Sequence, residues 1–190
     1  MPVTVLDPKT ALVLIDLQRG IAALPTAHPA ASVIANAARL LTAFRRAELP
    51  VVLVNVAFSA DGGDRPHSRT DAPPPNLPST PEFSEIVPEL ALAPSDIRIT
   101  KRQWNAFYGT ELDLQLRRRG VTGIVLGGIS TSIGVDTTAR AAYERSYNVA
   151  FASDAMTDRD PVLHECAITK IFPRLGEVAT TDAIIALLRR

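Results

Sequence analysis

The chain has 190 residues, 46% of them apolar and 21% charged, with 20 acidic and 20 basic side chains. That length holds one domain, residues 1–190, with a substantial core. The even charge balance offers no basic stripe, so nucleic acid and anionic membranes are not expected as partners. Apolar runs such as Ala11–Ile15 are far too short to span a bilayer. The N-terminal MPVTVLDPKT lacks the charged-then-apolar pattern of a secretory signal. Cys166 is the only cysteine, so no intrachain disulfide forms and a reducing, cytoplasmic setting is expected.

Ala11–Ile15 is a continuous apolar run ending in Asp16, which predicts a strand buried on both faces of a parallel sheet. From Pro29 to Glu48, apolar residues recur at helical spacing (Val33, Ile34, Ala37, Leu40, Leu41, Phe44), and Leu49-Pro50 ends the helix. Val51–Phe58 is a β-branched second strand. Ser59 to about Pro81 is rich in Gly, Pro, Ser and Asp without apolar period, and reads as a functional flap or a disordered stretch. Ile97–Thr100 is a short third strand leading to Lys101. Thr110 is placed to cap a helix over 111–119, with Asp113 completing a capping box and Gly120 ending it.

Thr122–Leu126 is the fourth strand, followed by the turn GGISTSIG and a helix to about Tyr147, capped by Thr131 or Ser132. Val149–Ala152 is the fifth strand, with Asp154 just past its end. A helix over 160–172 has Pro161 in its first turn, and Cys166 within it reads as a buried apolar filler. Glu177–Ala179 is the last strand, and Thr180-Thr181 caps a final helix over 183–188. Strands alternating with helices predict an α/β fold: a Rossmann-like, three-layer α/β/α sandwich around a six-stranded, mostly parallel sheet.

In such sheets ligands bind beyond the carboxyl ends of the strands, where the strand order reverses. Asp16, Lys101 and the Gly127–Gly134 turn all sit there. With strand order 3-2-1-4-5-6, an acid, a base and a row of backbone N–H donors converge on one pocket. Each also has an ordinary explanation: a turn cap, a solvated charge, a simple turn. Trp104, Phe107 and Tyr108 follow Lys101 closely, as core residues or a pocket wall. His28, His67 and His164 are scattered, and Asp61, Asp64 and His67 form no tight Asp-x-His pattern, so no metal site is expected. GGISTSIG lacks the spacing and lysine of a phosphate-binding loop.

At these residues the sequence resembles the isochorismatase-like hydrolase superfamily, from Thr10 to Leu188. The carriers are ALVLIDLQRG, TKRQWNAFYGTELDLQLRRRGV, GGISTSIGVDTTARAAYERSY, SDAMTD and IFPRLGEVATTD. The cysteine-hydrolase branch of that superfamily, which includes nicotinamidases, uses an Asp, a Lys and a Cys together. The resemblance maps the first two to Asp16 and Lys101 and the Cys to Gly134, which has no side chain with which to attack. Isochorismatases also carry Gly there; they tend to place a Gln where a gapless reading puts Val56. The resemblance implies vinyl-ether-type hydrolysis of a small molecule, with Asp16 as general acid or base and Lys101 orienting it. For Asp16 to donate a proton, burial must outweigh the nearby Lys⁺.

The resemblance further implies backbone donors around Ser130 and Gly134, and a non-proline cis peptide at Ile129-Ser130. The substrate pocket is expected to involve Gln18, Phe58, Trp104, Phe107, Tyr108, Thr131 and Ser132. No cofactor is implied, and homodimers or homotetramers are the expected assembly. Two alternatives stand beside this reading. One is a nicotinamidase-like C–N amidase with a substitute nucleophile such as Ser132; the other is a degenerate small-molecule-binding protein.

Overall fold

The computed structural model describes residues 3–72 and 75–188. Six strands form the sheet: β1 (Thr10–Ile15), β2 (Val51–Val56), β3 (Ile97–Lys101), β4 (Gly123–Ile129), β5 (Asn148–Thr157) and β6 (Glu177–Ala179). Their order is β3-β2-β1-β4-β5-β6, and all five neighbouring pairs are parallel. The helices are α1 (Arg19–Ala22), α2 (Ala30–Arg46), α3 (Pro81–Ser84), α4 (Leu112–Arg118), α5 (Asp136–Glu144), α6 (Pro161–Cys166) and α7 (Thr181–Leu188).

The period-2 alternation of β1 feeds two cores. Ala11, Val13 and Ile15 pack with residues of α4 and α5, while Leu12 and Leu14 pack with α2 and α7. The sheet is therefore the middle of three layers, and β1 is buried throughout. The buried stripe of α2 is the set its helical spacing predicts: Val33, Ile34, Ala37, Leu40, Leu41 and Phe44. Each large side chain so buried contributes about 1.5–3 kcal/mol.

Several elements differ from expectation, each for a local reason. β4 extends through Ile129, so Gly127 and Gly128 lie in the strand rather than the turn. Gly128 pairs with Ile15 at φ +128°, and a Cβ there would fall 2.1 Å from the Ile15 carbonyl oxygen. Close approach of β1, rather than freedom to turn, demands this glycine. β5 runs on to Thr157 through an irregularity: Leu126 faces Phe151, but Gly128 faces Met156. Asp154 sits in that excess, and its Oδ1 accepts from Thr181 N and Oγ1, capping α7.

Thr110 Oγ1 accepts from Leu112 N at 3.2 Å, but Asp113 completes no capping box and instead accepts from the Tyr147 hydroxyl at 2.8 Å. Cys166 is exposed, contrary to the expectation of a buried filler. The inward stripe of its helix runs through His164, Ala167 and Ile168, which turns residue 166 to the surface. The 57–80 stretch forms no regular element among its described residues. It is pinned by Arg102 to Asp64 at 2.6 Å and by the Arg65 guanidinium, which stacks 4.2 Å over Phe58. No helix of the described residues is long and apolar enough to cross a membrane.

Candidate active site

The polar centre lies beyond the carboxyl ends of β1, β3 and β4. Asp16 closes β1 in a left-handed conformation, φ 51°, and its N–H donates to Val54 O at 2.9 Å. An aspartate tolerates that conformation better than a β-branched residue, and the turn swings the carboxyl over the strand end. Lys101 ends β3, two strands away, so its four-carbon stem has to reach past β2. It does so while only 2% exposed, and its Nζ donates to Asp16 Oδ2 at 2.7 Å and to Gln103 O at 3.1 Å.

Asp16 is 6% exposed, and its Oδ1 is buried with no hydrogen-bond partner among the described residues. Burial pushes the carboxyl above its ordinary range; the Lys101 charge and hydrogen bond pull it down, and burial prevails. The tension between acid and lysine is thus resolved in favour of a carboxyl that holds a proton more readily than one in water.

The third member is Gly134. A Cβ at that position would lie 3.4 Å from Asp16 Oδ2 and 3.7 Å from Lys101 Nζ. It would also lie 2.8 Å from Ile15 Cγ2, closer than real Cβ atoms come, so a side chain here requires something to shift. Asp16, Lys101 and Gly134 therefore converge from three strand ends, as the strand order requires.

The turn itself departs from a simple capped helix start. The Ile129-Ser130 peptide is cis, as expected. Residues 131–135 form a wide π-type turn in which Ile133 N and Val135 N both donate to Ser130 O at 3.2 Å. Neither Thr131 nor Ser132 caps α5 with its side chain. The Ser132 N–H instead donates to Asp158 Oδ2, just beyond β5, at 2.7 Å.

The remaining expected pocket residues are dispersed. Gln18 is fully buried, its amide donating to Val56 O and Phe83 O and accepting from Val56 N. It braces the ends of β1 and β2. Phe107 is 4% exposed in the core and stacks on Tyr147 with centroids 5.8 Å apart. Trp104 and Tyr108 are 63% and 70% exposed on the loop after Lys101. Phe58 is half-buried beneath Arg65, and Thr131 is fully buried against His164 Nδ1 at 2.8 Å.

Two of the histidines are not scattered. His28 and His164 stand with ring centroids 4.6 Å apart, brought together by tertiary packing that spacing along the chain does not reveal. A signal for His164 was present: it occupies the first position of the apolar stripe 164, 167, 168, 171. Asp158, 2% exposed, closes the SDAMTD stretch and had no separate signal. No group of three or more His, Cys, Asp or Glu side chains suited to a metal ion occurs among the described residues.

The family model for the Isochorismatase domain matches residues 10–183. The solved structure of an isochorismatase family protein from Burkholderia thailandensis superposes with a TM-score of 0.95, at 46% identity over 98% of each chain. The uncharacterized isochorismatase family protein YwoC of Bacillus subtilis (strain 168) is 44% identical over 181 residues, 93% of each chain. The ureidoacrylate amidohydrolase RutB of Methylobacterium radiotolerans is 30% identical over 210 residues, covering 96% of this chain and 81% of its own. Sequence match, strand order and the meeting of Asp16, Lys101 and Gly134 agree: the chain belongs to the isochorismatase family.

Proposed function

We propose that the protein hydrolyses a small molecule bearing a vinyl ether, with Asp16 as general acid, Lys101 orienting it and no protein nucleophile. The observation that carries this reading is the division of labour within one carboxyl group. Oδ2 is tied to Lys101 and faces Gly134, where an attacking side chain would stand, whereas Oδ1 is buried with no partner among the described residues.

The chemistry follows from that arrangement. Asp16 gives its proton to the terminal vinyl carbon, and the C=C π electrons form the new C–H bond. The ether oxygen shares a lone pair with the adjacent carbon, which becomes oxocarbenium-like. Water adds to that carbon and returns a proton to Asp16. The hemiketal then splits, so ether plus water yields ketone plus alcohol. Burial raises the carboxyl's hold on its proton, and the nearby charge of Asp16 after transfer stabilises the cation. Gly134 supplies no side chain to attack, so water is the nucleophile in this reading.

A second reading is C–N bond hydrolysis of the kind named for RutB. One observation favours it: Thr131 Oγ1 lies 2.8 Å from His164 Nδ1, a hydroxyl beside a base. Against it, Thr131 is fully buried, and no histidine meets the Ser132 hydroxyl among the described residues. Turnover in D2O separates the two. Carbon protonation places one deuterium in the methyl group of the ketone product. Amide hydrolysis places none on carbon, and an acyl-forming reagent labels Thr131 or Ser132.

A further inference from the structure

Beside the turn that carries Gly134 lies a polar cluster that the acid chemistry does not use. His164, 8% exposed, meets Thr131 Oγ1 through Nδ1 at 2.8 Å, and Thr131 opens the 131–135 turn. His28, just before α2, sets its ring centroid 4.6 Å from that of His164. Its Nδ1 and its backbone N–H both lie 3.1 Å from Thr157 Oγ1, at the end of β5. The next residue, Asp158, accepts from Ser132 N at 2.7 Å. One short turn is thus gripped from α6 through Thr131 and from the end of β5 through Ser132.

We propose that His164, acting through Thr131, is a positioning residue for the Gly134 turn, and that its contact with His28 makes this positioning sensitive to mild acid. The consequence for turnover rests on the reading of Asp16 given above; the coupling itself does not.

The Thr131–His164 hydrogen bond survives either protonation state. A neutral Nδ1 accepts from the hydroxyl, and an imidazolium Nδ1 donates to it. The sensitivity lies instead in the ring pair, where a proton on one imidazole disfavours a proton on the other. Charging both pushes α6 and the segment before α2 apart, and α6 takes Thr131 with it.

The groups facing the pair are few. Asp158 and Arg159 lie past the end of β5, and Asp160 and Glu165 lie at the N-cap of α6 and within it. Residues 131–135 carry no charge, and residues 21–37 carry none besides His28. Asp158 and Glu165 favour a charged His164; burial and His28 oppose it and prevail, holding His164 below the ordinary histidine range. Asp158 is already engaged by the N–H groups of Ser132, Arg159 and Asp160, which limits what it gives to the ring.

The test needs no substrate. The chain has three histidines, so their ring C2 protons are assigned by elimination in an NMR titration of the full chain. The Gly134 backbone amide is followed in the same samples. His28→Phe, which keeps a ring but no charge, raises the His164 midpoint, because the like charge beside it is gone. In the wild-type chain the Gly134 amide shifts with the His164 midpoint. In Thr131→Val that response is lost while the histidines still titrate, and Thr131→Ser restores it. An unchanged His164 midpoint in His28→Phe overturns the pairing. A Gly134 amide that ignores the histidine titration in the wild type and in Thr131→Ser overturns the positioning role, even where Thr131→Val does not fold. Neither outcome depends on what Asp16 protonates.

Discussion

The two ends of the parallel sheet use acidic side chains in opposite ways. At the amino end, Thr4, Asp7, Tyr143, Asn148 and Glu177 help to line a groove of about 780 Å³. Two of its acids are met by neutral donors, Asp7 by Thr122 and Asn148 and Glu177 by Thr4, and the third, Glu144, is exposed to solvent. At the carboxyl end there is little room. Asp16 and Lys101 are 6% and 2% exposed, and one carboxyl oxygen has no partner. The acids of the roomy end face neutral donors or solvent, whereas the crowded end buries one carboxyl oxygen with no partner among the described residues. The proposed reaction rests on the second end: a buried polar atom without a partner at a strand end asks for an explanation that space alone does not.

The sharpest way to break this contrast is to neutralise an acid at each end. Asp16→Asn keeps the shape and removes the proton donor, and is expected to lower turnover of a vinyl ether by about 10²–10⁴-fold. Asp7→Asn, in the groove, is expected to change turnover by less than about twofold. Steady-state kinetics on both variants decides which end reacts. Lys101→Met comes next. It leaves a buried carboxyl without its cation, and is expected to cost about 3–5 kcal/mol in urea denaturation. The pH dependence carries the sign. Asp16 holds its proton more tightly folded than at its ordinary value of 3.8, so its stabilising share is full below that pH and is lost as pH rises through the folded value. Removing Lys101 takes away both influences that lower that value. The loss then extends to higher pH, and denaturation midpoints measured along a pH series reveal it.

How much of this was legible in the sequence depends on the length scale of the interaction. The strands themselves and the stripe of α2 follow from local periodicity, the strand order is supposed from the doubly wound fold that the resemblance implies, and all hold. The meeting of Asp16, Lys101 and Gly134 was also legible, because strand ends are placed by topology and the resemblance named the positions. What local pattern misses is contact set by packing. Gln18 was expected in the pocket, yet its amide is spent on Val56 and Phe83. Gly127 and Gly128 looked like a turn because glycine marks both turns and close backbone approach. The His28–His164 contact joins a loop near the start of the chain to a helix near its end, and no spacing rule encodes it. Cys166 went wrong by a matter of phase: the stripe begins at His164, a polar residue that periodicity of apolar residues discounts.

Smaller effects test how tightly the crowded end is packed. Gly134→Ala places a Cβ against Ile15 Cγ2 and is expected to cost about 1–3 kcal/mol. Ile15→Val keeps that methyl and gives no relief. Ile15→Ala removes it but opens a cavity, expected to cost about 2–5 kcal/mol. The double variant is expected to lose less than the sum, because one change makes room for the other, and chemical denaturation of the four proteins measures the coupling. Additive losses mean the clash is relieved elsewhere. Gly134→Cys meets the same methyl, so restoring the thiol alone is not expected to create a cysteine hydrolase. His164 adds a milder pH effect. Its folded value is depressed, so the unfolded chain takes up the proton first and stability falls as pH drops below about 6.5. In His164→Asn, whose amide can still bond to Thr131, the melting temperature is expected to decline less on acidification.

The smallest change is expected back in the groove. Glu177 accepts Thr4 Oγ1 at 3.0 Å and Thr4 N at 3.3 Å, both at the exposed surface. Glu177→Gln keeps one oxygen acceptor and turns an NH2 group toward a donor, so one of the two bonds is lost. Water replaces it at little cost, and the expected loss is under about 1 kcal/mol, a melting shift of no more than about 2–4 °C. Turnover is expected to stay unchanged, since Glu177 opens β6 at the amino end of the sheet while the carboxyl proposed to react, Asp16, stands at the other. A collapse of activity in Glu177→Gln, with melting unchanged, would place the chemistry in the groove at the amino end. It would also make the Asp16–Lys101 pair a structural buttress, so this mild substitution tests the choice between the two ends without disturbing the site it defends.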